Sequence, residues 1–150
     1  MSERYDELME AALEEARRAR DAGEVPIGAI VVVDGRVVGR GFNRPIGAVD
    51  PTAHAEMLAL REAATTIGNY RLTGADVYVT LEPCLMCVGA LIHARVATVI
   101  FGAREPKTGA LVSTVQSLDI VTLNHRFDVV EGVLEAECRE IVQQFFRERR

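Results

Sequence analysis

Ala29-Ile30-Val31-Val32-Val33-Asp34-Gly35-Arg36-Val37-Val38-Gly39-Arg40-Gly41 is the stretch that decides the fold class. Ala29 to Val33 is a short β-branched run and Arg36 to Gly41 a second, and Asp34-Gly35 between them is a strong signal for a tight hairpin. This hairpin sits among helices. Upstream, Glu3 to Ala22 is rich in Ala, Glu, Leu and Arg, and Leu8, Ala12, Leu13 and Ala16 form a helical stripe that stops at Gly23. Downstream, a loop follows Asn43-Arg44-Pro45, and Asp50 is placed to cap a helix that begins at Pro51 and runs to about Ile67. Asp76 to Leu81 reads as a strand, Pro83 opens a short helix ending near Ile92, and Val96 to Phe101 is a further strand. Residues 103–126 show no long period, and a loop of that length usually has a functional reason. Phe127 to Val130 reads as a last short strand, and Leu134, Cys138, Ile141, Val142, Phe145 and Phe146 lay an apolar face on a closing helix. Five strands alternating with helices predict an α/β domain, and the opening hairpin makes the sheet mixed.

No internal repeat or linker-like tract interrupts the chain, so residues 1–150 are expected to form a single domain. With 49% hydrophobic and 26% charged residues the composition is that of a folded globular protein, which argues against disorder. No apolar run approaches the roughly 18 residues that span a bilayer. The amino terminus is acidic and mixed, unlike a signal or transit peptide. No membrane association and a cytoplasmic location are therefore expected. A net charge of −5 gives no general attraction to nucleic acid, so any RNA partner must be met by a local basic patch.

Two groups of residues carry chemistry: His54-Ala55-Glu56, and Pro83-Cys84-Leu85-Met86-Cys87. Both fall at predicted helix starts, whose partial positive charge stabilises thiolates. Cys84 and Cys87 are three apart, so both thiols lie on one face of a first helical turn. One histidine and two cysteines offer zinc three ligands, one per chain, and leave the fourth tetrahedral position open, as catalytic sites do. Glu56 is then free to move protons beside an activated water. Other readings stand beside this one. A C-x-x-C can be a redox pair, and Cys138, His93 or His125 could close a structural zinc site as a fourth ligand. Cys138 otherwise reads as a small buried hydrophobe on the last helix.

The pair of motifs is the signature of zinc deaminases that act on nucleobases. Over essentially its whole length the sequence resembles bacterial tRNA wobble-adenosine deaminases. The matches lie at Val25-Pro26-Ile27-Gly28-Ala29, Phe42-Asn43-Arg44-Pro45-Ile46-Gly47, Asp50-Pro51-Thr52-Ala53-His54-Ala55-Glu56, Leu81-Glu82-Pro83-Cys84-Leu85-Met86-Cys87 and Gly102-Ala103-Arg104. Ala90 to Arg95 and Lys107-Thr108-Gly109-Ala110 resemble the tRNA branch in particular, and Phe145-Phe146-Arg147 the family's closing helix.

The resemblance implies a three-layer α/β/α cytidine-deaminase-like fold, a homodimer, and a site that takes a base flipped out of a tRNA anticodon loop. It implies hydrolytic deamination of adenosine to inosine by zinc-activated hydroxide, with His54, Cys84 and Cys87 on zinc and Glu56 as proton shuttle. Asn43 would hydrogen-bond the target nucleotide, and Pro26, Ile27, Gly28, Ala55 and Leu81 would wall the base. Glu105 would lie near the flanking nucleotide, with Arg104, Lys107 and Phe145 as further RNA contacts; the cluster of Arg147, Arg149 and Arg150 at the end of the last helix reads either as a set of phosphate contacts or as a solvated helix end. The family commonly has aspartate where this chain has Glu105, and a small residue or glycine where it has Leu111-Val112. The signature itself is shared by small-molecule deaminases of guanine or cytosine compounds. A silent zinc module that helps a partner grip tRNA is a further alternative, though it would not need Glu56.

Overall fold

A computed structural model describes residues 2–149. Helix α1 (Ser2–Asp21) leads into the hairpin β1 (Gly28–Val33) and β2 (Arg36–Phe42), then a short α2 (Pro45–Ala48) and α3 (Ala55–Ile67). Strand β3 (Asp76–Leu81), α4 (Leu85–His93), β4 (Thr98–Ala103), a 3₁₀ turn at Ser117–Asp119, β5 (Asp128–Glu131) and α5 (Glu135–Glu148) complete the chain. The sheet has five strands in the order β2-β1-β3-β4-β5. β1 is antiparallel to both β2 and β3, whereas β3, β4 and β5 run parallel. The mixed five-stranded α/β sheet expected from the sequence is therefore the one observed.

Alternation along the strands builds two cores, since successive side chains point to opposite faces. Val77, Val79, Val99 and Phe101 face α3 and α4, meeting Ala59, Ala63, Val88 and Leu91. Tyr78 and Ile100 face the other way, with Ile30, and meet Met9, Ala12 and Leu13 of α1 and Cys138 of α5. The layers are thus α3 and α4, the sheet, then α1 and α5. Two glycines permit this close stacking. A Cβ on Gly28 would lie 2.0 Å from the Ala12 carbonyl of α1, and one on Gly41 would lie 2.3 Å from the Ala55 carbonyl of α3. The Gly41 contact seats the first turn of α3 directly on β2.

The element ends differ from the sequence reading in instructive ways. α3 starts at Ala55 rather than Pro51, because the Asp50 carboxylate accepts from both the Thr52 N–H (2.8 Å) and the Thr52 hydroxyl (2.7 Å) and closes a turn instead. α4 starts two residues beyond Pro83, with Cys84 extended at φ −79°, ψ 173°. β4 lies two residues later than Val96 to Phe101, and β5 one later than Phe127 to Val130. α2 lies within a stretch read as loop. Part of the aperiodic stretch is core: Ala110 and Leu111 pack into the cluster under α3 and α4.

Candidate metal and active site

The beginnings of α3 and α4 lie side by side, and each delivers ligands from the residue that caps it. His54 occupies the N-cap position of α3 and Cys84 that of α4, with Cys87 in the first turn of α4. His54 Nδ1 is 3.6 Å from Cys84 Sγ and 3.5 Å from Cys87 Sγ, and the two sulfurs are 3.8 Å apart. A tetrahedron with zinc–sulfur bonds of about 2.3 Å and zinc–nitrogen bonds of about 2.0 Å has sulfur–sulfur edges of about 3.8 Å and nitrogen–sulfur edges of about 3.5 Å. The donor set and its spacing therefore fit zinc. Among the described residues these three are the only cluster of at least three metal-ligating side chains. Cys138 lies in the opposite core, and the His125 ring pairs with the Val96 carbonyl at 2.8 Å, so neither closes the site.

Charge in the cluster is polarised even without metal. Hydrogen bonds from Cys87 and His54 hold the Cys84 thiol down at about 4, so it is a thiolate at neutral pH. The Cys87 thiol is pushed up by the hydrogen bond to that thiolate and by burial, and the bond to Cys84 raises His54. Glu56, 4% exposed, sits in the first turn of α3. Burial pushes its carboxyl up to about 7 against the opposing pull of its own backbone hydrogen bond and of the His54 charge. A carboxyl that titrates near neutrality can both take and give a proton at physiological pH.

The expected base-contacting residues are partly brought together. The Asn43 backbone N–H donates to the Ile27 carbonyl (3.0 Å), and Asn43 is 7% exposed, so the end of β2 is tied to the Pro26–Gly28 segment. Ala55 is fully buried in the α3 core, so its side chain faces the protein. Leu81 ends β3, packs on the α1 and α5 side, and walls a groove of about 1030 Å³ formed with residues 103–108 and α5. Arg104, Glu105, Lys107, Arg147 and Arg149 line this groove, whereas His54, Cys84 and Cys87 do not. Arg104 forms a two-pronged ion pair with Glu131 (2.7 and 3.1 Å), and Arg147 pairs with Glu140 at 2.6 Å. Phe145 stands apart from the expectation. It is 5% exposed with the Arg149 guanidinium stacked over its ring, whereas Phe146, 49% exposed, lines the groove, because one step along a helix turns about 100°. Arg150 lies outside the described residues.

Glu15, Glu24 and Glu82 are buried and escaped the sequence reading, and the last two organise loops. Glu24 accepts from the backbone N–H groups of Ile46 (3.2 Å) and Gly47 (2.7 Å), joining the loop that carries Pro26 to α2. Glu82 gathers five donors from the loop after β4. The available signal was an acidic residue directly beside Val25-Pro26 or Pro83-Cys84, where apolar neighbours on one side promise burial.

Residues 3–150 match the family model described as MafB19-like deaminase, which sets the class of the protein as a deaminase. The chain is 47% identical to a tRNA-specific adenosine deaminase of Haemophilus influenzae over 99% of its own length and 87% of the relative's. It is 50% identical to one from Agrobacterium fabrum, covering 95% of this chain and 94% of that one. A solved structure from studies of A-to-I editing by tRNA deaminases at the wobble position of transfer RNA superposes with a TM-score of 0.88 at 48% identity, covering 90% of this chain and 98% of that one. The chain belongs to the family of tRNA-specific adenosine deaminases.

Proposed function

We propose that this protein hydrolyses the wobble adenosine of a tRNA anticodon to inosine, as one zinc-dependent domain. The observation that carries this reading is the three-donor cluster at tetrahedral spacing with the buried Glu56 carboxyl two residues from His54, in a chain of this family. His54, Cys84 and Cys87 hold the metal. Bound zinc supplies an acidified water at neutral pH. Glu56 takes a proton from the attacking water as oxygen adds to carbon 6 of the adenine, and passes it to the neighbouring ring nitrogen. The same carboxyl then takes the remaining proton from the hydroxyl now on carbon 6 and delivers it to the amino group, which leaves as ammonia as the carbonyl forms, so adenosine and water become inosine and ammonia. Asn43 orients the nucleotide, while Pro26, Ile27, Gly28 and Leu81 shape the wall around it and exclude bulk water. The basic groove of Arg104, Lys107, Arg147 and Arg149, with Phe146 in place of Phe145, receives the flanking RNA. Glu105 lies beside the flanking sugar.

The outer face of α3 and α4 supports a homodimer. Met57, Leu60, Ala64 and Leu72 line an apolar depression there with Tyr70, which is 68% exposed. Among the described residues no helix is long and apolar enough to cross a membrane. A cytoplasmic site of action suits a cluster whose thiols must stay reduced.

The test is to offer the zinc-loaded protein an anticodon stem-loop with adenosine at the wobble position, beside free adenosine, cytidine and guanine, and to read products by mass. Inosine from the stem-loop alone supports the reading. Turnover of a free base or nucleoside instead would make it a small-molecule deaminase.

A further inference from the structure

Glu82 follows β3 directly, precedes the Pro83-Cys84 step into the metal cluster, and is 4% exposed. Its Oε2 accepts from the backbone N–H groups of Leu111 (3.1 Å), Val112 (2.7 Å) and Ser113 (2.9 Å). Its Oε1 accepts from the Glu105 N–H (3.1 Å) and from the Ser113 hydroxyl. The loop closes so tightly round this carboxylate that a Cβ on Gly109 would lie 2.3 Å from the Glu82 carboxyl carbon. The Ala110 N–H adds a bond to the Pro83 carbonyl (2.9 Å). One side chain thus holds both ends of the 105–113 loop, and the same loop carries Glu105 and Lys107 into the groove beside Arg104.

A buried carboxylate is costly unless donors surround it, and one that meets five donors fixes a single arrangement of the groups that supply them. Glu56 and the three ligands are set by α3 and α4, and none of the five donors to Glu82 comes from those helices, so the arrangement bears first on recognition of the nucleotides flanking the target. We propose that Glu82 is a positioning residue for RNA recognition: by drawing the 105–113 loop onto its carboxylate it presents Glu105 and Lys107 to the substrate beside Arg104, setting KM rather than kcat. This inference rests on the tRNA reading above.

The experiment compares the unaltered protein with Glu82→Gln and Gly109→Ala. The amide in Glu82→Gln turns an N–H toward groups that are themselves donors. Gly109→Ala keeps the carboxylate but forces the loop away from it. Zinc content, kcat and KM on the wobble-adenosine stem-loop are measured, together with hydrogen exchange of the 111–113 amides without RNA. Zinc should stay at the unaltered level and kcat within about threefold, while KM rises about tenfold. The 111–113 amides should exchange faster in both variants. If Glu82→Gln fails to fold, Gly109→Ala decides alone. An unchanged KM in a folded variant, a loss confined to kcat, or a loss of zinc would overturn the proposal. No inosine from the unaltered protein would sink the tRNA reading and the KM claim with it, and the exchange data would still show whether Glu82 holds the loop.

Discussion

His54 Nδ1 and Cys87 Sγ, 33 positions apart in sequence, meet at 3.5 Å because α3 and α4 begin at the same edge of the sheet. That meeting joins two short motifs into one candidate metal site, and a direct prediction follows. The purified protein should hold about one zinc per chain, and Cys84→Ser or Cys87→Ser should lose zinc and activity together. Cys138→Ser, on the far side of the sheet, should keep both. Full zinc in either of the first two variants would mean that the ligand set is different.

Metal uptake should release protons. The metal-free cluster at neutral pH carries a thiolate on Cys84, a protonated thiol on Cys87, and a His54 whose affinity for its proton is raised. A zinc ion bound to both sulfurs and the imidazole must displace the Cys87 proton and any proton on His54 Nδ1. Because the bound state holds fewer protons, apparent zinc affinity should rise with pH through neutrality. Calorimetry in buffers of different ionisation enthalpy reads the number of protons released, and a value of zero contradicts the assignment.

Much of this was legible in the sequence, for physical reasons. Asp34-Gly35 fixed the hairpin because its turn chemistry is local, and the clustering of His54, Cys84 and Cys87 could be expected because metal chemistry restricts residue types and spacing. The starts of α3 and α4 were less legible, since Asp50 and Pro83 carry helix-start chemistry, yet Asp50 closes a turn ahead of α3 and Pro83 leads through an extended Cys84 into α4. The partners of Glu24 and Glu82 were invisible because all but the Ser113 hydroxyl are backbone amides 22 to 31 residues away, and any sequence can supply an amide. Phe145 and Phe146 could not be ranked without knowing which face of α5 meets the sheet.

The end of α5 tests how an acidic chain meets RNA. Arg147 is tethered to Glu140 and Arg149 lies over Phe145, yet both line the groove. Replacing both with Gln should flatten the dependence of log affinity on log salt by about 0.7 to 0.9 for each phosphate that an arginine no longer neutralises. An unchanged slope would identify them as solvated residues at a helix end.

Glu105 bears on the choice of RNA over DNA. Its carboxylate already accepts from the Lys107 N–H at 2.9 Å, a bond that Gln can keep through its carbonyl oxygen, so Glu105→Gln removes charge without unmaking the turn. A carboxylate near a backbone accepts from a ribose 2′-hydroxyl, which DNA lacks, and repels phosphate. The substitution should therefore narrow the ratio of inosine formation on matched RNA and DNA hairpins at one salt concentration. A ratio that does not move places the selectivity elsewhere.

Mapping the product on a full tRNA tests the deamination and its position together. The unaltered protein and Glu56→Ala, both zinc-loaded, are incubated with a transcript carrying adenosine at the wobble position, and every adenosine is scored for conversion by sequencing. Inosine is expected at the wobble position alone with the unaltered protein. Glu56→Ala should keep its zinc and its tRNA affinity while turnover falls by about 10²- to 10⁴-fold, the range expected for losing a general acid–base group. Conversion that survives in Glu56→Ala, or a wobble adenosine left unchanged by the unaltered protein, would contradict the assignment.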